Sequence, residues 1–232
     1  MSEALTLETV LAALTEAGLA SRGAFRPGPD DGVPDLAPGR PAGTLILAGG
    51  AGPGMWRAFA AAREPERDLL DDWSGEILSA LAERFDAIAH FPSAKPYMPF
   101  QRWARRAEPV FASPLGIHIH ADHGLWHSYR GALSFAEALA LPEAEARANP
   151  CESCPDKPCL TTCPVDAFSE HGYDIPACVR HLVTDDGQDC MQLACRARRA
   201  CPVGRDNRYE PAQASFHMRH FLKTRRHLAA AE

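Results

Sequence analysis

The sequence predicts an α/β chain, with strands interleaved between helices, closed by a small module built on cysteine. Three observations carry that reading. Apolar residues recur at three- and four-residue steps over 7–14 and again over 70–85, the mark of amphipathic helices. Short apolar runs at 44–48 and 87–91 have the length of inner strands. All eight cysteines fall between Cys151 and Cys201, and the rest of the 232 residues holds none.

Composition bounds the possibilities. A hydrophobic content of 46% is enough for a packed core, and the length suits one or two domains. A net charge of −6 argues against nucleic acid or an anionic membrane as a partner of the whole chain. No apolar run reaches the length of a bilayer span. The opening residues MSEALTLETV lack a basic n-region and an apolar h-region, so the expected address is the cytoplasm.

Taken in order, Leu7, Val10, Leu11 and Leu14 form the first helix, with Gly18 as its stop. Residues 21–43 hold five prolines and five glycines and read as irregular. Residues 44–48 form a buried strand running into Gly49-Gly50-Ala51-Gly52-Pro53-Gly54, and a helix with Trp56 and Phe59 begins near Met55. A glycine-rich strand-to-helix turn can cradle phosphate, but G-x-G-x-x-G spacing and a Walker lysine are both absent, which favours a plain tight turn. Leu70, Trp73, Ile77, Leu81 and Phe85 define the clearest helix, followed by a strand over 87–91 and a short basic helix over 101–106.

Residues 115–120 alternate, which sends Ile117 and Ile119 to one face and His118 and His120 to the other. Ala121-Asp122-His123-Gly124 reads as a hairpin turn with a return strand over 125–135. That hairpin gathers His118, His120, His123 and His127, a set open to metal ligation but better read as a polar strand face. Residues 143–149 form a charged linker. The expected layout is therefore an α/β domain over 1–142, the linker, a cysteine module over 150–204 and a basic helical tail over 205–232.

The first cysteine run is C-x2-C-x4-C-x3-C-P and the last is C-x4-C-x5-C-P. This is close to the bacterial two-[4Fe–4S] ferredoxin pattern, in which the cysteine before proline ligates the other cluster. The crossing rule assigns Cys151, Cys154, Cys159 and Cys201 to one cluster, and Cys163, Cys178, Cys190 and Cys195 to the second. The wider gaps leave Cys178, Cys190 and Cys195 as the looser assignments. Two four-cysteine zinc sites are the main rival and a disulfide framework the lesser one. The basic tail reads first as a solvated face, with a docking patch for an acidic electron donor or an RNA backbone as the alternative.

The segments PAGTLILAGGAGPGMWRAF and PLGIHIHADHGLWHSYRGAL, with Ala89-His90 upstream of Gln101-Arg102, resemble the cobalamin-processing chaperones of the methylmalonic aciduria and homocystinuria type C family. The resemblance covers roughly residues 40–142. It implies a flavin-reductase-like (nitroreductase-like) domain that binds cobalamin base-off and removes its upper ligand, reductively or by transfer to glutathione. By position it places His90, Gln101 and Tyr129 at the corrinoid, Gly116 where the backbone approaches the ligand, and Arg130 at a glutathione carboxylate. The cysteine module resembles that of epoxyqueuosine reductases and reductive dehalogenases, which pair cobalamin with two [4Fe–4S] clusters.

The combined expectation is a cytoplasmic corrinoid-binding redox protein, fed by an external low-potential donor, that reduces cobalamin and strips its upper ligand. Asp122, His123 and Tyr129 are its candidate proton donors. The competing readings are an epoxyqueuosine-reductase-like enzyme acting on transfer RNA, which the missing helical-repeat extension argues against, and a plain electron-transfer ferredoxin with a docking domain.

Overall fold

The computed structural model describes residues 4–63, 69–143, 146–169 and 172–230. Nine helices and eight strands are defined among them. The strands are β1 (Ala20–Phe25), β2 (Thr44–Ala51), β3 (Ile88–His90), β4 (Val110–Ala112), β5 (His118–His120), β6 (His127–Phe135), β7 (Phe168–Ser169) and β8 (Gly172–Tyr173). The helices are α1 (Leu7–Glu16), α2 (Gly54–Ala62), α3 (Leu70–Arg84), α4 (Phe100–Ala107), α5 (Pro158–Thr161), α6 (Ile175–Leu182), α7 (Gln188–Leu193), α8 (Arg196–Ala200) and α9 (Pro211–Arg225). The chain is mixed α/β and divides into two compact units, Met1–Pro109 with His127–Ala146, and Val110–Trp126 with Arg147–Glu232.

In the first unit a four-stranded sheet has the order β1-β2-β6-β3, and every pairing is antiparallel. Leu45, Ile46, Leu47 and Ala48 of β2 are all fully buried, which explains why this strand is a continuous apolar run rather than an alternating one. Leu133 and Phe135 of β6, Leu14 of α1, Phe59 of α2, Leu78 of α3 and Trp103 of α4 complete the interior. Thr6 caps α1: its hydroxyl accepts from the Thr9 N–H at 3.2 Å, and the Thr9 hydroxyl returns the bond to the Thr6 N–H at 3.0 Å. The Trp103 indole N–H donates to the Asp31 carbonyl at 2.8 Å, tying the proline-rich segment to α4.

Three sequence expectations are corrected. The segment 21–43 is not irregular throughout, since most of β1 lies in it and pairs with β2. The hairpin expected over 115–135 does not form: β5 pairs with β4, while β6 pairs with β2 and β3. Only a bridge between His120 and Gly124 closes the turn. The reason is burial, because the second half of β6, Gly131 to Phe135, is wholly interior and occupies a central sheet position. The expected alternation also fails. Ile117 is 45% exposed and His120 only 6%, because Ile117 belongs to a turn in which the Ser113 hydroxyl donates to its carbonyl at 2.6 Å.

In the second unit the β4–β5 ribbon accompanies the cysteine segment, although the sequence placed it with residues 1–142. Leu115, Ile119 and Leu125 pack with Ala167, Phe168 and Ala197. Trp126 packs with Ala194, Ala214 and Tyr209. Of the expected linker, residues 144 and 145 lie outside the described residues. Among the described residues no helix is long and apolar enough to cross a membrane.

Candidate functional site

The eight cysteines sort into two sets of four, none joined by a disulfide. Cys151, Cys154, Cys159 and Cys201 wall one pocket together with Pro150, Pro158 and Pro202. Cys163, Cys178, Cys190 and Cys195 wall another, backed by Phe168, Leu182 and Met218. Cys159 and Cys163 are four residues apart yet face different pockets. Local structure explains this. Pro158 opens α5, which carries Cys159, and Pro164 follows Cys163 just past its end. Asp174 caps α6 by accepting from the Ala177 N–H at 2.9 Å, presenting Cys178 on the helix's first turn. Cys195 and Cys201 flank α8 as its two end caps, so one five-residue helix runs from one set to the other.

The electrostatics fit a cationic occupant. Burial pushes the Cys151 thiol up to about 11, reinforced by Cys201, Cys159 and Cys154 of its own set. Burial likewise pushes Cys178 up to about 11; the Tyr173 hydroxyl beside it works the other way, and Cys195, Cys163 and Cys190 add to the rise. Four thiolates brought this close repel one another and require positive charge among them. Backbone donors already point at the sulfurs. The Ala167 N–H donates to Cys163 Sγ at 3.4 Å, and the N–H groups of Ala197 and Arg198 offset part of the rise that burial imposes on Cys195. Among the described residues no three or more of His, Cys, Asp and Glu converge as ligands of a single ion. A cubane differs from such an ion in that its four cysteines bind four separate iron atoms, and so stand around a volume rather than a point.

Beside the second set lies a cleft of about 420 Å³, with Cys178 and Cys195 in its wall and Gly116, Ile117, Tyr173 and Phe221 around it. Phe168 stacks on Tyr173 at 4.5 Å between ring centroids, and Tyr173 on Phe221 at 6.4 Å. Gly116 has φ +73°, and a Cβ built there would meet no atom within 4 Å, so the glycine leaves open space at the cleft. The turn over 121–124 is fastened to the loop after Cys201. A Cβ on Gly124 would stand 2.1 Å from the Val203 carbonyl oxygen, and one on Gly204 2.3 Å from the His123 carbonyl carbon.

Among the described residues the histidines form no group of three or more able to hold a metal ion. His120 and His123 lie 4.5 Å apart between ring centroids, and His120 Nδ1 accepts from the N–H groups of Asp122 and His123, a turn-capping role. His127 falls in the other unit, 5.6 Å from Tyr129 between centroids. Asp122 pairs with Arg147 at 3.3 Å.

In the first unit Tyr129 and Arg130 line a cleft of about 600 Å³ between α3 and the turn over 91–94. Arg130 is held by Asp71 at 2.6 Å. His90 is turned into the interior, with Nε2 2.8 Å from the Ser134 hydroxyl and its ring 5.7 Å from Trp103. Burial lowers its pKa and favours the neutral imidazole. Gln101 is exposed on α4, and neither it nor His90 lines the cleft. Gly116 belongs to the second unit, where it lines the cleft beside Cys178 and Cys195.

Arg22, Glu108 and Tyr173 carry no motif signal in the sequence. The Tyr129 hydroxyl donates to Glu108 Oε1 at 2.5 Å, and Glu108 Oε2 pairs with Arg22 at 2.8 Å, both side chains being almost wholly buried. Arg22 sits in the glycine- and proline-rich stretch, where no periodicity announces it. Tyr173, beside Cys178 in the cleft wall, carries no motif either; its only signal is its place five residues ahead of a ligand-type cysteine. No protein-family model matches the sequence, and no curated protein is significantly similar to it.

Proposed function

We propose that this chain is an iron–sulfur redox protein that reduces a corrinoid and thereby releases its upper axial ligand. The observation that carries the reading is the sorting of eight cysteines into two separate fours, each walling its own pocket, along the crossed partition that the ferredoxin spacing demands. Cys151, Cys154, Cys159 and Cys201 would hold one [4Fe–4S] cluster, and Cys163, Cys178, Cys190 and Cys195 the other. When bound, the clusters supply one-electron transfer at low potential.

The corrinoid is the substrate, and the aromatic cleft beside Cys178 and Cys195 is its proposed seat. Gly116, which the family resemblance places where backbone meets corrin, opens onto that cleft. Phe168, Tyr173 and Phe221 exclude water and offer flat faces to a flat macrocycle. The first unit, an antiparallel sheet backed by helices, is proposed to be the nitroreductase-like domain of the resemblance. A glutathione carboxylate at Arg130 would take the place of Asp71, itself 66% exposed. A cytoplasmic address and an external low-potential donor belong to the same proposal.

The experiment is anaerobic reconstitution with iron and sulfide analysis, followed by titration with hydroxocobalamin under dithionite. The expected outcome is about eight irons per chain and a corrinoid spectrum shifted toward reduced cobalt. Stoichiometric zinc without iron overturns the cluster reading. Full iron with no corrinoid bound or altered leaves an electron-transfer ferredoxin instead.

A further inference from the structure

We infer that the arginine face over α8 is the docking site for a small acidic one-electron carrier protein. The inference rests on the iron–sulfur reading above and adds the partner to it. A cleft of about 360 Å³ lies there, lined by Thr162, Asp189, Arg196, Arg199 and Arg208. Asp189 alone answers two of these cations, accepting from Arg196 Nε at 2.8 Å and from Arg199 Nη2 at 2.6 Å. Arg208 spends a donor on the Arg199 carbonyl, and neither it nor the neighbouring Arg205 has a carboxylate partner among the described residues. The face therefore keeps surplus positive charge. From Arg196 to Arg226 the chain carries nine Lys and Arg against Asp206 and Glu210, in a protein whose net charge is −6.

Position makes this charge more than a solvated surface. α8 starts after Cys195 and ends before Cys201, Thr162 immediately precedes Cys163, and Asp189 immediately precedes Cys190. A partner seated on the arginines thus stands over the short stretch of backbone common to both cysteine sets. Electron-carrier encounters are small and weak, and a few complementary charges are enough to steer them. In the step itself one electron leaves the reduced carrier, which is oxidised, and enters the clusters, which are reduced. No proton or group is transferred.

The test uses the whole protein and a plant-type [2Fe–2S] ferredoxin as the acidic probe. Calorimetric titration at low ionic strength should show binding that weakens steeply with added salt. Arg205→Glu/Arg208→Glu changes only exposed residues and should weaken binding by about tenfold or more while flattening the salt dependence. Its iron content, and its rate of reduction by the small cation methyl viologen, should match those of the unaltered protein. Binding that ignores both salt and charge reversal overturns the inference. So does a face that binds transfer RNA and leaves the ferredoxin unbound. Because binding is measured independently of iron, a preparation without clusters sinks the earlier reading and leaves this one to be decided by the titration.

Discussion

At the scale of single residues, the buried trio of Arg22, Glu108 and Tyr129 is the least forgiving feature of the first unit. Burial raises the Glu108 pKa, while the Arg22 charge and the Tyr129 hydroxyl pull it back down. Both partners of the ion pair are nearly inaccessible, at 3% and 8% side-chain exposure, so removing one leaves a charge stranded in the interior. Arg22→Met should cost about 3–5 kcal/mol in urea unfolding at neutral pH. The pH dependence fixes the cause. Without the guanidinium the folded carboxyl titrates higher still, and stability contributed by a group with a raised folded pKa is full below its unfolded value and lost as pH rises through the folded one. The deficit of Arg22→Met should therefore shrink between pH 8 and pH 5, and Arg22→Met/Glu108→Gln should recover part of it at pH 8. A deficit that stays constant with pH would mean the loss is one of packing, not of charge.

Among elements, the turn over 121–124 shows how a local feature of the ribbon governs a cysteine set far along the chain. Gly124 and Gly204 both have positive φ, and each backbone presses against the other's segment. A methyl group on Gly124 would meet the Val203 carbonyl, two residues past Cys201, and backbone cannot give way as a side-chain tip can. Gly124→Ala should thus lower iron by about half, with loss confined to the set that includes Cys201, measured by iron analysis and electron paramagnetic resonance. This coupling was not legible in the sequence, where Ala121 to Gly124 read as a hairpin turn. The long periodic elements were legible: α1, α3 and β2 occupy the places their apolar spacing indicates, because a single buried stripe or run dictates each. β1 was hidden because Arg22 and Gly23 interrupt any alternation, and its strand character comes only from its neighbour β2. The β5–β6 pairing was misread for the converse reason. Adjacent alternating runs favour a hairpin locally, but central burial of β6 in another sheet decides the matter.

On the scale of the whole molecule, the chain's order and its spatial grouping disagree, and that disagreement is where the proposed function can be tested most sharply. Read linearly, the first four cysteines would form one site and the last four another. The structure instead exchanges Cys163 for Cys201, with α8 linking the two groups. The ferredoxin-like spacing foretold this exchange, and the basic residues around and beyond Cys201 offered a docking patch as the alternative to a solvated face, whereas the stacked ring of Tyr173 had no comparable signature, since it depends on which surfaces the fold brings forward. Paired substitutions separate the two arrangements. Cys154→Ser/Cys201→Ser removes two ligands of one group and should retain about half of the iron, little worse than Cys201→Ser alone. Cys154→Ser/Cys163→Ser strikes both groups and should lose nearly all of it, with the second unit destabilised because cluster binding contributes directly to its folding. A linear arrangement predicts the reverse ranking of the same two variants. Iron content after identical anaerobic reconstitution, read beside the thermal unfolding midpoint, decides between them.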